Sequence, residues 1–273
     1  MEQSIESFIK NLVRETIVDL LPKIGRSKYV IANWKMNKTL AEAADFFTSI
    51  PANDAVSVIV CPPAQLLYPA HLLTQQQNKR IGLAGQNVHW QNSGAFTGEI
   101  SAEMLKDVGC EYVIIGHSER RHYFHEDDEI INQKVKQSMN AGLIPIICIG
   151  ETLEQKSALQ TEQILSTQLY GALKNIGSTR FIIAYEPVWA IGTGQSATPE
   201  QAQETHDYIR SVLKQIMGQD SISILYGGSV NEKNSAEYST MPDIDGVLVG
   251  GASLNAKSFE EIINVFAKGE QCK

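Results

Sequence analysis

From residue 27 onward two patterns alternate along the chain. Short, continuously apolar runs rich in β-branched residues occur at Tyr29–Ala32, Val56–Cys61, Ile81–Ala84, Tyr112–Ile115, Leu143–Ile149, Phe181–Tyr185, Ile222–Leu225 and Gly246–Val249. Most lack the strict alternation of a sheet with one wet face, which is how strands covered on both faces read. Between them lie stretches with helical spacing, among them Thr39–Ile50, Ser101–Val108, Glu129–Asn140, Thr161–Leu173 and Pro199–Met217. Helix-start signals fit this division: Asp127-Asp128 precedes one stretch and Thr198-Pro199-Glu200 another. Repeated strand–helix units over 27–273 predict one α/β domain, a closed (β/α)8 barrel, with a doubly wound open sheet as the competing arrangement.

Residues 1–26 do not follow that rhythm. Ile5, Phe8, Ile9, Leu12, Val13, Ile17, Leu20, Leu21 and Ile24 recur at helical spacing, predicting an extra N-terminal amphipathic helix that ends near Pro22. Such a stripe suits a helix that docks on the barrel or joins subunits, the alternative being a loosely attached tail. Glu6, Lys10, Arg14, Glu15 and Asp19 interrupt it, which argues against a secretory or organelle leader.

Composition narrows the partners. Lys+Arg 23 against Asp+Glu 31 gives a net charge of −8 with no basic block, so nucleic acid and anionic membrane are poor partners. No apolar run is long enough to span a bilayer. Cys61, Cys110, Cys148 and Cys272 are scattered without a CxxC or a zinc spacing, and His122 with His125 lacks a third ligand. A reducing compartment, the cytoplasm, is the expectation. An anionic ligand would have to be held by local dipoles and a few placed cations.

In a barrel the chemistry sits at the C-terminal strand ends, and these are polar. Glu186 follows Phe181–Tyr185 and is placed to act as a general base; a salt-bridged strand-end carboxylate is the plainer reading. After it, Pro187-Val188-Trp189-Ala190-Ile191-Gly192-Thr193-Gly194 has a stiff start, an apolar middle and a flexible finish, as a water-excluding lid requires. His117 follows Tyr112–Gly116 near a helix N-terminus, whose dipole disfavours the protonated ring. A neutral imidazole there would donate to a developing enolate oxygen. Asn33 and Lys35 stand past the first strand, Lys35 as a local cation. Gly192, Gly227-Gly228-Ser229 and Gly250-Gly251 let backbone N–H groups approach a dianion, and the last two follow strands seven and eight, where barrels commonly hold phosphate.

Gly192-Thr193-Gly194-Gln195-Ser196-Ala197 satisfies G-x-G-x-x-A, but six residues separate it from its strand. The next strand ends without an acid for a ribose hydroxyl. A nicotinamide oxidoreductase is therefore disfavoured.

Seven ordered motifs then resemble the triosephosphate isomerases: Asn33-Trp34-Lys35-Met36-Asn37, Gly94–Ser101 (GAFTGEIS), Gly116–Arg121 (GHSERR), Cys148-Ile149-Gly150-Glu151, Ala184–Gly194 (AYEPVWAIGTG), Tyr226–Val230 (YGGSV) and Val249–Leu254 (VGGASL). The resemblance covers Tyr29 to the C-terminus and implies a TIM barrel. It implies aldose–ketose isomerisation of a small phosphorylated triose in glycolysis and gluconeogenesis, with no cofactor or metal. By that resemblance Glu186 shuttles the proton, and His117 polarises the oxygens with Asn33 and Lys35. Glu119 supports the site, while Gly192, Ser229, Gly250 and Gly251 hold phosphate. It also implies a homodimer in which the loop around Thr97 reaches the other subunit. Two departures stand out: Ala32 for a usual Gly, and Gln195 for a common Lys behind the lid. The alternative from another class is a catalytically inactive barrel serving as a binding or structural protein.

Overall fold

The computed structural model describes residues 26–51, 53–177, 180–190 and 196–268. The helix expected over 1–26 thus lies, but for Arg26, outside the described residues, as do Gly192 and Gln195.

The eight apolar runs become strands β1 (Tyr29–Asn33), β2 (Ser57–Cys61), β3 (Gly82–Gly85), β4 (Tyr112–Ile115), β5 (Ile144–Ile149), β6 (Ile182–Tyr185), β7 (Ile224–Tyr226) and β8 (Gly246–Val249). Each pairs in parallel with its sequence neighbour, and β1 also pairs with β8 (Tyr29 opposite Gly246), closing the ring. The open doubly wound sheet is thereby ruled out.

Around the ring run α1 (Leu40–Ser49), α2 (Leu67–Gln76), α3 (Ala102–Asp107), α4 (Ser118–Tyr123), α5 (Asp128–Asn140), α6 (Leu153–Ser157), α7 (Thr161–Ala172), α8 (Pro199–Met217), α9 (Ser235–Ser239) and α10 (Ala256–Lys268). Local chemistry sets where they begin. Thr39 and Thr198 each accept the N3 backbone N–H while the N3 side chain reaches back, and Asp127 caps α5 through the N–H of Ile130. Gly218, in the left-handed region at φ 73°, ends α8.

The period of two within each strand divides the core. Ile31, Ile59, Cys61, Ala84, Ile114, Ile146, Cys148, Ile182, Ala184, Leu225 and Leu248 fill the barrel interior, and their alternates pack outward against the helices. Continuing the inward row by two residues past a strand's end reaches Asn33 and Lys35 from β1, Glu186 from β6, Gly227 from β7 and Gly250 from β8. On β4 the same phase would turn His117 outward with Ile115. Gly116, left-handed at φ 72°, breaks the alternation and turns His117 to the mouth. At the opposite end, Arg210 of α8 binds Asp243 (2.5 Å) and Asp245 (2.8 Å), and Arg26 also contacts Asp245 (2.7 Å). These pairs tie α8 and Arg26 to the approach to β8.

Candidate active site

The C-terminal mouth encloses a cavity of about 420 Å³ lined by Asn33, Lys35, His117, Glu186, the Gly227-Gly228-Ser229 turn and Gly250-Gly251. A larger basin of about 930 Å³ opens at the N-terminal end beside Lys28, His71, Lys79 and Arg80. Of the residues singled out from the sequence, all but two line the mouth cavity. Gly192 is outside the described residues, and Glu119 sits one layer back.

Glu186 is 1% exposed. Its Oε2 accepts the backbone N–H of Ser118 at 2.9 Å, and its Oε1 lies 3.2 Å from His117 Nε2. Oε1 makes that approach without a hydrogen bond, and the Cys148 thiol also meets the carboxylate. Buried with so few partners and set in a cavity beside an imidazole, it is a ready proton acceptor. Gly227 makes room for it: a Cβ there would stand 3.0 Å from Glu186 Cγ and 3.1 Å from the Tyr185 carbonyl.

His117 caps α4, its Nδ1 accepting the N–H of Glu119 at 3.2 Å. That bond occupies the Nδ1 lone pair and assigns the ring proton to Nε2, the nitrogen facing Glu186 and the cavity. Lys35 has φ 51°, a strained setting for a non-glycine residue, closed by Asn33 Oδ1 accepting the Lys35 N–H at 3.0 Å. Its Nζ binds Glu119 Oε1 at 2.7 Å, so Glu119 fixes the cation while its backbone orients the imidazole.

Under the site, burial pushes the Cys148 thiol well up, with the Glu186 charge adding to it, so Cys148 is an uncharged floor.

Sequence reasoning did not assign Glu151 a role. It is buried. Its Oε1 accepts both Tyr185 OH (3.1 Å) and Trp189 Nε1 (2.8 Å), and desolvation raises its proton affinity. Lys156 lies over the Trp189 ring, and Ser229 Oγ donates to the Ala190 carbonyl at 2.7 Å. The described front of the expected lid is thus held by both a buried acid and the turn after β7. The signal for Glu151 was the CIGE motif, whose acid has no meaning until folding brings Trp189 beside it.

A closed (β/α)8 barrel whose mouth joins a buried carboxylate, an Nε2–H imidazole and a placed lysine is a barrel enzyme equipped for proton transfer beside a carbonyl. Comparison with known proteins narrows the class. The triosephosphate isomerase family model matches residues 28–266. Curated relatives named triosephosphate isomerase include that of Chloroherpeton thalassium, 49% identical over 249 residues (87% of this chain, 98% of the relative). That of Alkaliphilus oremlandii is 46% identical over 248 residues (88% and 99%), and one from Dehalococcoides mccartyi 48% over 244 (87% and 95%). The chain belongs to the triosephosphate isomerase family and is an aldose–ketose isomerase.

Proposed function

We propose that this chain interconverts dihydroxyacetone phosphate and D-glyceraldehyde 3-phosphate, with Glu186 as the base. The observation that carries the residue roles is the buried Glu186 Oε1, facing His117 Nε2 at 3.2 Å. Glu186 leaves the Ser118 N–H, takes a proton from the carbon next to the carbonyl, and returns it to the adjacent carbon. His117 Nε2–H donates to the oxygens as charge develops on them, and Lys35 with Asn33 stabilises the enediolate. Glu119 holds Lys35 in place.

The turns at Ser229 and Gly250-Gly251, with Gly192, take the phosphate through main-chain N–H groups. The phosphate does not react, so its binding free energy serves to close the lid and order the site in the transition state. A coupled assay with each triose phosphate tests this reading. The expected result is turnover in both directions, abolished in Glu186→Gln; wild type no faster than that variant would favour a non-catalytic barrel.

We further propose a homodimer. A second cavity of about 570 Å³, beside the first and sharing Asn33, Lys35 and His117, is lined by Met36, Gln86, Glu119, Tyr123 and Phe124. Met36 is 95% exposed, and Phe96, Met104, Tyr123 and Phe124 are exposed as well; clustered exposed apolar side chains mark an interface. The occupant we assign is the partner's loop around Thr97, kept in shape by His89 packing on Trp90 and Phe96 with ring centroids 4.1 and 4.2 Å away. Thr97→Glu should shift the sedimentation coefficient to that of a monomer.

A cytoplasmic location is our reading from three buried free thiols, Cys61, Cys110 and Cys148. Among the described residues no helix is long and apolar enough to cross a membrane.

A further inference from the structure

The peptides on both sides of His117 are held by one residue, Arg121. The carbonyl of Gly116, whose left-handed φ of 72° turns the chain out of β4, accepts from Arg121 Nε at 3.0 Å. The carbonyl of His117 accepts the backbone N–H of Arg121 at 3.1 Å. The side chain thus fixes the peptide entering His117, and the main chain fixes the peptide leaving it. With both peptide planes set, the backbone from which the imidazole projects has little freedom left.

The rest of the guanidinium is also occupied. Nη1 binds Asp128 Oδ1 of α5 at 2.7 Å, and Nη2 donates to the Cys148 carbonyl of β5 in a longer contact of 3.4 Å. One planar fork therefore spans oxygens from three elements, which a guanidinium can do and an ammonium cannot. The two strand-end carbonyls it meets are neighbours. Ile115 pairs with Ile147 across β4 and β5, and a Cβ on Gly116 would stand 3.4 Å from the Cys148 oxygen. Cys148 in turn meets the Glu186 carboxylate, and the Arg121 charge opposes the rise that burial gives its thiol pKa.

We propose that Arg121 is a positioning residue for the isomerisation, fixing the peptides that flank His117 and so the aim of the imidazole, while Asp128 fixes Arg121. The proposal rests on the isomerase reading above. Arg121 does not line the cavity, so it acts through the backbone groups it holds. Without its side chain the Gly116–His117 peptide can rotate. The bond from the Glu119 N–H to His117 Nδ1, 3.2 Å long, then loosens, and the ring proton is no longer confined to Nε2.

The experiment compares full-length wild type with Arg121→Gln and Arg121→Lys. It measures kcat, KM, inhibition by inorganic phosphate, and the ring 15N shifts of His117 read through its carbon-bound ring protons. For Arg121→Gln we expect kcat to fall about 10²-fold, the scale of a misplacement of about 1 Å. Arg121→Lys keeps the charge beside Asp128 and loses the fork; we expect it to fold as wild type and to lose about tenfold in kcat. In both, KM and phosphate inhibition should stay within about threefold, and the ring shifts should move from a single Nε2–H form toward a mixture of tautomers. Wild-type ring shifts in both variants would overturn the proposal, and so would a loss carried by KM in place of kcat. An Arg121→Lys enzyme with wild-type kcat would reduce Arg121 to a charge partner of Asp128 and overturn it as well. The ring shifts are read without substrate. A wild type that does not turn over triose phosphates would therefore defeat the isomerase reading while the positioning of His117 is still decided.

Discussion

Shortening the base by one methylene separates its position from its chemistry. Glu186→Asp keeps the carboxylate but draws it back by about 1.5 Å, one carbon–carbon bond. From contacts of 2.9 Å to the Ser118 N–H and 3.2 Å to His117 Nε2, that retreat puts both beyond hydrogen-bond range. A misplacement of about 1 Å can lower kcat about 10²-fold, or about 2.7 kcal/mol of barrier. Glu186→Gln keeps the length and loses the basic lone pair, so the full contribution of acid–base catalysis goes, about 10⁴-fold or about 5.5 kcal/mol. The turns proposed to hold phosphate, at Ser229 and Gly250-Gly251, are untouched, so KM should stay within about threefold in both variants, since uniform binding is preserved. Steady-state assays in both directions, with deuterium incorporation from solvent as a direct record of proton abstraction, give the ordering wild type, Asp, Gln. A Gln variant within tenfold of wild type would refute the assignment of the base. So would losses in which KM rises while kcat is kept.

Other consequences are as definite. Gly227→Ala places a methyl 3.0 Å from Glu186 Cγ, and should lower kcat through displacement of the base while costing about 1–3 kcal/mol of stability; unchanged kcat would mean Glu186 does not work from this position. His206 is buried, with Nδ1 3.2 Å from the Asp243 carbonyl and Nε2 unpaired, and burial pulls its pKa from 6.5 to about 3. Below pH 6.5 the unfolded chain binds this proton and the folded one does not. Stability from this group is therefore whole above pH 6.5 and falls by about 1.4 kcal/mol per pH unit toward pH 3. His206→Phe should flatten denaturant-derived stability by that slope between pH 6 and 4, and parallel curves would refute the burial argument. Deleting residues 1–25 should leave kcat and KM unchanged, because the candidate catalytic residues lie between Asn33 and Gly251. Light scattering on the same truncation asks whether the extension joins subunits: a drop in mass says that it does, and an unchanged mass excludes it.

The barrel was legible because buried parallel strands write themselves as unbroken apolar runs, and turns, caps and prolines separated those runs cleanly. Helices α1, α5 and α8 begin within a residue of where the pattern places them, since Thr39, Asp127 and Thr198 are real caps; α7 begins at Thr161 as placed, without a side-chain cap. The site was legible only in part. Glu186, Asn33 and Lys35 extend the inward period of their strands and could be placed by counting. His117 could not, because its direction depends on the left-handed φ of Gly116, a backbone fact that a sequence only permits. The same limit hid Glu151. Its contact is to Trp189, 38 positions away, and no local pattern encodes a partner that arrives only with the tertiary fold.

Net charge also reads differently once the fold is known. A chain at −8 would repel a phosphorylated triose if bulk charge governed binding. The mouth answers with few full charges: Lys35 is already paired with Glu119 at 2.7 Å, and Glu186 is itself an anion kept in the cavity. A strongly cationic pocket would bind the phosphate and also bind Glu186, quenching the base that the reaction needs. Backbone N–H groups at the ends of β7 and β8 avoid that conflict, because a turn's dipoles act over a few ångströms and cannot swing toward the carboxylate as a lysine could. Lys35 is correspondingly restrained, by Asn33 at its backbone and Glu119 at its tip. In the mechanism proposed here, fixed dipoles for the inert end of the substrate and a tethered charge for the reacting end together let an acidic barrel hold an anion without disarming its own base.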